Sequence, residues 1–294
     1  MYLIVGASGF VGSYAIREIL EKTNEKILAA DRNVDGRVNT DRIEWTACDI
    51  TCHEDLVALN QKMMKYEPMK VIYLAAYHHP DLVLANPHLA WNINITALSD
   101  FLNTVENVRC LFYSSTEMVY KPGEMGVFFK EDAEKKPINA YGKHKMVAEQ
   151  LVVGYGYNVV RFPFMIGPSI LPGKQHFYDV IVETIQAGKT IEMFEDNYKT
   201  ALDFGTAVST LVALMEKYTD EMPKVLNIAG DEVLSKYDIG IKIADKFHCD
   251  RKLIIPITME GDTKIFTEKR ANCTLLDNAA VKKVLGLQEL KLNF

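Results

Sequence analysis

The sequence predicts an α/β fold in which a doubly wound parallel sheet carries a smaller C-terminal α/β lobe. Three observations predict it. In the first half, short apolar runs alternate with amphipathic stretches, as when parallel strands are joined by crossover helices. The glycine-rich turn Gly6-Ala7-Ser8-Gly9-Phe10-Val11-Gly12 stands directly between the first apolar run and the first amphipathic stretch. After Phe162 the texture changes, with Pro163, Gly167, Pro168, Pro172 and Gly173 crowding a segment too broken for a regular element.

The strand candidates are residues 2–5, 26–30, 43–46, 71–74, 109–114 and 158–162. Between the first two, residues 12–22 place Ala15, Ile16, Ile19 and Leu20 on one face of a 3.6-residue period, which predicts a crossover helix. Beyond the break, residues 179–187, 206–218, 236–247 and 278–285 read as helices, and 225–228 as a strand able to rejoin the first sheet. The expected division is a cofactor-binding domain over 1–162, to which 199–229 returns, and a substrate-binding lobe over 163–294. Neither an internal repeat nor a low-complexity linker is visible.

With 48% hydrophobic and 24% charged residues, the chain has the composition of a globular protein. Its net charge of −6, without a Lys/Arg stripe, argues against nucleic acid as a partner, since that affinity is mostly cation–phosphate attraction. No apolar run reaches the roughly 18 residues that span a bilayer. Met1 leads straight into the first strand with no basic leader, so the expectation is a cytoplasmic protein without membrane contact. Cys48, Cys52, Cys110, Cys249 and Cys273 are odd in number and scattered, which fits reduced structural thiols and no metal site.

A phosphate approaches backbone N–H groups at a helix N-terminus, where the dipole favours negative charge and a Cβ in the turn would hold it off. Gly6, Gly9, Phe10, Val11 and Gly12 form such a cradle, so a dinucleotide is the expected ligand; a plain tight turn is the blander alternative. Asp31 follows Gly12 at close to the spacing at which a carboxylate reaches an adenosine ribose, which favours NAD. Arg32 comes next and can pair with a 2′-phosphate, which keeps NADP open. Asp49-Ile50, past the third strand, suits an adenine edge, and Leu74-Ala75-Ala76, ending the fourth, offers small side chains where a flat cofactor lies on backbone.

Tyr141 and Lys145 stand four apart, on one helix face. The spacing alone is weak: among 14 tyrosines a decoy occurs at Tyr66 and Lys70, where Pro68 opposes a helix. Context selects Tyr141, which follows the turn at Pro137, begins a helical stretch to Val153, and comes after Ser114-Ser115-Thr116 at the end of the fifth strand. A phenol must fall about three pKa units, roughly 4 kcal/mol, to act as a base near neutrality. One cation about 4 Å away at an effective dielectric near 20 supplies about that much, so Lys145 is expected to suffice in principle, helped by the positive nicotinamide ring. Thr116 is expected to hold the reacting oxygen.

In this combination the chain resembles the extended short-chain dehydrogenase/reductase superfamily, of the NAD-dependent epimerase/dehydratase kind, over essentially its whole length. Gly6, Gly9 and Gly12 match its phosphate loop, Asp31 its ribose acid, Asp49-Ile50 its adenine contact, and Asn92 in Asn92-Ile93-Asn94-Ile95-Thr96 its helix asparagine. Thr116, Tyr141 and Lys145 match its catalytic Ser/Thr, Tyr and Lys in order and register. The resemblance implies a Rossmann domain holding NAD or NADP, a nucleoside-diphosphate sugar in the C-terminal lobe, and a homodimer paired through helices.

Three reactions of that superfamily compete. Its 4,6-dehydratases carry Thr-Asp-Glu at the catalytic strand end, whereas this chain reads Thr116-Glu117-Met118; methionine can do no proton work, so dehydration is disfavoured. Phe164 stands where many epimerases have Asn, and resembles the dTDP-4-dehydrorhamnose reductase branch, as does Arg270-Ala271-Asn272 ahead of Leu276-Asp277. Against this, Asp203-Phe204 is similar to an epimerase stretch, with Leu202 in place of its arginine. The reading is a 4-keto-sugar reductase or 4-dehydrogenase, with an epimerase as runner-up and a non-catalytic dinucleotide sensor as the reading from another class. His78, Phe164 and His176 are candidate substrate contacts beside Thr116. Lys174 and Lys199 are candidates for the diphosphate, and Met63-Met64 and Phe128-Phe129 read as packing.

Overall fold

The computed structural model describes residues 1–259 and 266–294. Its centre is a seven-stranded sheet built from β1 (Tyr2–Val5), β2 (Ile27–Asp31), β3 (Ile43–Ala47), β4 (Met69–Tyr73), β5 (Val108–Thr116), β6 (Asn158–Phe162) and β7 (Val225–Asn227). All pairings are parallel and the order is β7-β6-β5-β4-β1-β2-β3. The direction of winding reverses between β1 and β4, and that switch point is where open α/β sheets bind ligands.

A parallel sheet needs both faces covered, so its strands are apolar throughout rather than alternating. β1 shows this: Tyr2 and Ile4 join the core under α1 (Phe10–Lys22), while Leu3 and Val5 join the core on the opposite face. That second face is covered by α2 (His53–Met63), α3 (Ala97–Thr104) and α4 (Ala140–Gly154). Further helices are α5 (Phe177–Gln186), α6 (Phe204–Glu216), α7 (Lys236–Lys246) and α8 (Ala279–Leu285). Of these, α6 lies beside α1 on the first face, and β7 adds to β6 as the rejoining strand predicted from residues 225–228.

The remaining C-terminal elements pack α5 and α7 around Ile166, Ile181, Ile239 and Ile243. A small sheet runs through Leu234–Ser235, Tyr198–Lys199, Cys273–Leu276 and Phe128–Phe129, so chain from both halves contributes to it. Most boundaries move by one or two residues from the sequence expectation. One such change bears on the site: β5, predicted over 109–114, runs on to Thr116 and so carries Ser115 and Thr116 on regular strand. Met63 is buried as expected, but Met64 is 57% exposed and does not pack. Lys70 of the decoy pair lies on β4, outside any helix.

Helix α4 is fixed from both ends. The Asn139 side chain caps it, accepting from Gly142 N–H at 2.7 Å. A Cβ on Gly142 would lie 2.2 Å from the Met118 carbonyl oxygen, so only glycine lets the helix start lie against the turn after β5. Further along, Glu149 takes Arg161 of β6 through two bonds of 2.8 and 2.7 Å and Ser115 of β5 at 2.6 Å. The Glu149 and Arg161 side chains are each 1% exposed. Removing one partner of such a pair strands the other charge in a dry interior. Glu149→Leu is therefore expected to cost about 3–5 kcal/mol in urea unfolding, with much of the loss recovered by adding Arg161→Met.

Candidate active site

At the C-terminal ends of β1 to β4 lies a cleft of about 500 Å³. Gly6, Gly9, Asp31 and Arg32 line one end of it, followed by Asp49 and Ile50. Leu74, Ala75, Ala76, His78, Asn92 and Lys174 line the remainder, so most of the predicted dinucleotide residues share one wall system. The loop suits a phosphate: Gly9 precedes α1 without any side-chain cap, and the first turn carries no acid, leaving its N–H groups available to an anion. Gly6 has φ +89° and sits where a Cβ would be 2.9 Å from the Ala75 nitrogen.

Three of the predicted cradle residues do other work. A Cβ on Gly12 would lie 2.6 Å from the carbonyl oxygens of both Gly6 and Ala7, so this glycine serves close packing of helix on loop. The Phe10 ring packs edge-on against His176 at 5.0 Å, and the Val11 side chain packs against the core under α1. Asp31 also has a local duty, accepting from Ser8 N–H at 2.9 Å and so tying β2 to the loop. Cys48 borders the cleft with its thiol pushed up to about 12, chiefly by burial, as expected of an inert structural cysteine.

Tyr141 is walled by Val83, Ala90, Tyr77 and Met118. Tyr77 lines the cleft, while Met118 lines a second pocket together with Glu117, Phe164, Lys199, Lys236 and Arg270. Tyr141, in the first turn of α4, thus packs among residues that border the two cavities. Lys145 donates to the Ser114 carbonyl at 2.7 Å and lies 4.4 Å from the Tyr113 ring centroid and 5.8 Å from that of Tyr141. Burial pushes the Lys145 ammonium down to about 7, against the upward pull of Glu149. The Tyr141 phenol is raised, first by burial and then by the negative charge of Glu117. Lys145 spends its hydrogen bond on the strand carbonyl, and desolvation is the first cause of the shift in both groups.

The second pocket is rich in cations. Burial pushes Lys236, at the first turn of α7, down to about 8, helped by neighbouring Lys199 and Arg270. Its ammonium lies 4.9 Å from the ring centroid of Phe164, which lines the same pocket. Arg270 pairs with Asp81 at 2.9 Å, and among the described residues its Nε is buried without a partner. His176 lies elsewhere: it caps α5, bonded to Tyr178 N–H and packed on Phe10 and Phe204. His78 borders the first cleft rather than this pocket.

Two polar groups were not singled out in the sequence. Asn94, in a π-helical turn at Asn92–Thr96, clamps the Tyr77 backbone with bonds of 2.8 and 3.1 Å. Asn92, two residues earlier, is an exposed cleft residue. Glu117 is the other. It is 3% exposed, accepts the Thr116 hydroxyl at 2.9 Å and lies 3.8 Å from Lys199. Among the described residues, no cluster suited to a metal ion occurs and no helix is long and apolar enough to cross a membrane.

Residues 1–291 match the family described as RmlD substrate binding domain. The chain belongs to this family. A relative within reach is the probable low-salt glycan biosynthesis reductase Agl14 of Haloferax volcanii, 28% identical over 98% of this chain and 94% of its own length. Another is the methionine adenosyltransferase 2 subunit beta of Xenopus laevis, 24% identical over 77% of this chain and 70% of that one. Among solved structures, the dTDP-4-dehydrorhamnose reductase of Bacillus anthracis, in complex with NADP, superposes with a TM-score of 0.78 at 18% identity, covering 99% of this chain and 94% of that one.

Two tests follow from the geometry. Because the folded Lys145 value of about 7 lies below that of an unfolded lysine, the folded state binds fewer protons between about pH 7 and pH 10.5, and stability rises with pH there. Lys145→Met should compare best with the native protein near pH 7, with the advantage shrinking by pH 10 in chemical denaturation. Gly12→Ala, which forces backbone apart, should lose about 1–3 kcal/mol of stability and weaken dinucleotide binding, read by calorimetric titration with NADH.

Proposed function

We propose that the protein is an NAD(P)-dependent oxidoreductase acting on the sugar of a nucleoside diphosphate sugar, as a 4-keto-sugar reductase or 4-dehydrogenase. The observation that carries this reading is the packing of Tyr141 among residues that border both a cleft with a phosphate-binding loop and a pocket lined by Lys199, Lys236 and Arg270. The cleft suits the dinucleotide, with Asp31 for the ribose of NAD and Arg32 for the extra phosphate of NADP. The cationic pocket suits the anionic portion of the substrate. The family match and the likeness to Agl14, named a probable reductase, support the same class.

When bound, the dinucleotide supplies or accepts hydride at the sugar carbon. Tyr141 gives its proton to the carbonyl oxygen in reduction and takes it from the hydroxyl in oxidation. A raised phenol pKa makes Tyr141 a proton holder at neutral pH, which suits the reductive direction. Lys145, held on Ser114, lies on the same helix face and steadies the phenolate as the proton leaves. Met118 is apolar and packs against the cluster that holds Tyr141, so the second carboxylate that dehydration requires is missing at that place.

An epimerase would use the same residues in both directions. A relative whose name makes it a subunit of another enzyme and not a reductase keeps a further reading in view, in which the chain binds a dinucleotide without turning it over. The reactions separate by mass spectrometry after incubation with NADH or NADPH and a panel of 4-keto and 4-hydroxy nucleotide sugars. The reductase gives a two-hydrogen mass gain in a keto sugar with cofactor consumed; an isomer of unchanged mass with no cofactor consumed means an epimerase. Tyr141→Phe is expected to abolish turnover and keep cofactor binding. Near-normal turnover in that variant refutes the mechanism.

A further inference from the structure

Resting on the nucleotide-sugar reading, the inference concerns which end of the redox pair the site is built to hold. A threonine hydroxyl has one hydrogen to give and two lone pairs to receive with. Thr116 Oγ1 lies 2.9 Å from Glu117 Oε2, and Met118 N–H donates to the same hydroxyl oxygen at 3.3 Å. The other Glu117 oxygen faces the Lys199 ammonium at 3.8 Å. Lys199 is itself fixed from behind, donating to Thr274 Oγ1 at 3.1 Å and to the Ala271 carbonyl at 3.3 Å. Glu117 and Lys199 are 3% and 6% exposed, so water does not compete freely for either.

As the carboxylate of an ion pair, Glu117 can only accept, so the Thr116 hydrogen points to Glu117. One lone pair takes Met118 N–H, and a single lone pair is left for the substrate. We infer that Glu117 is a positioning residue that fixes Thr116 as a hydrogen-bond acceptor toward the reacting oxygen, so that the site holds the alcohol form of the sugar in preference to the ketone. A sugar hydroxyl can donate to Thr116; a keto oxygen finds no donor there and depends on Tyr141 alone.

Glu117→Gln tests this, because Lys199 dictates how the amide sits. The amide oxygen takes the place facing the ammonium and the NH2 group faces Thr116, so Thr116 becomes the acceptor from residue 117 and its hydrogen turns to the substrate. The probes are UDP-6-deoxyglucose titrated into the NADH complex and UDP-4-keto-6-deoxyglucose titrated into the NAD⁺ complex, where no hydride can pass. Glu117→Gln is expected to shift the ratio of the two dissociation constants about tenfold toward the ketone, the size of one hydrogen bond. With Thr116→Val in the background, the same change should leave the ratio unmoved.

Equal weakening of both ligands, or an unchanged ratio, overturns the inference and leaves Glu117 a purely structural residue. A ligand-free arm holds whatever the sugar proves to be. If the Thr116 hydroxyl is engaged by Glu117, the Tm losses of Thr116→Val and Glu117→Met, each of which removes that bond, do not add in the double variant; additive losses overturn the inference. Failure of the native protein to bind either sugar, with non-additive losses intact, counts against the nucleotide-sugar reading and for the assigned hydroxyl orientation.

Discussion

The arrangement of the site depends on one buried ion pair. Glu149 of α4 binds Arg161 of β6 and Ser115 of β5, and its second oxygen also takes Lys135 at 3.1 Å. Arg161 continues outward to Tyr120 and to the Glu131 carbonyl. Two strands, a helix and the segment before that helix thus meet at one carboxylate. Ser115 precedes Thr116, and Glu149 lies one turn beyond Lys145, so the same contacts set where the hydroxyl, the phenol and the ammonium stand. Burying two charges is costly, and the cost is offset here because nearly every polar atom of the pair has a partner.

A second constraint is the shortage of solvent around the site. Lys145, Lys199 and Lys236 are all displaced downward in pKa, and burial is the first cause each time. Negative charge is placed sparingly: Glu149 behind Lys145, Glu117 beside Lys199, Asp81 on Arg270. The result is a pocket where positive charge predominates, bordered by Met118 of the Tyr141 cluster. Charges in so dry a place act strongly on an incoming anion, which is how a modest set of side chains can both bind and orient it.

Much of this was legible in the sequence because its causes are local. The sheet could be read from its apolar runs, since strands covered on both faces carry little polar residue. The glycine loop could be read from its place between strand and helix, and Tyr141 with Lys145 from helical spacing after a strand ending in Ser-Ser-Thr. What was missed depends on contacts between distant segments. Glu117 looked like one charge among many until the fold brought Lys199 against it. Arg161 and Glu149 are twelve apart in sequence and meet only through the β5–β6 pairing. No spacing rule marks Gly142, although the Met118 carbonyl leaves no room for a side chain there. The placement of His176 at a helix cap, and the upward shift of the Tyr141 phenol, follow from packing that no spacing rule contains.

The central claim is that Tyr141 stands where hydride passes between a dinucleotide and a sugar carbon. Direct transfer of label tests it most simply: the protein is incubated with NADH or NADPH deuterated at C4 of the nicotinamide, in each stereochemical form, and with 4-keto nucleotide sugars. The account predicts that deuterium from one form alone appears on the sugar carbon, and that Tyr141→Phe abolishes the transfer. Tight cofactor binding with no label in any sugar would contradict it.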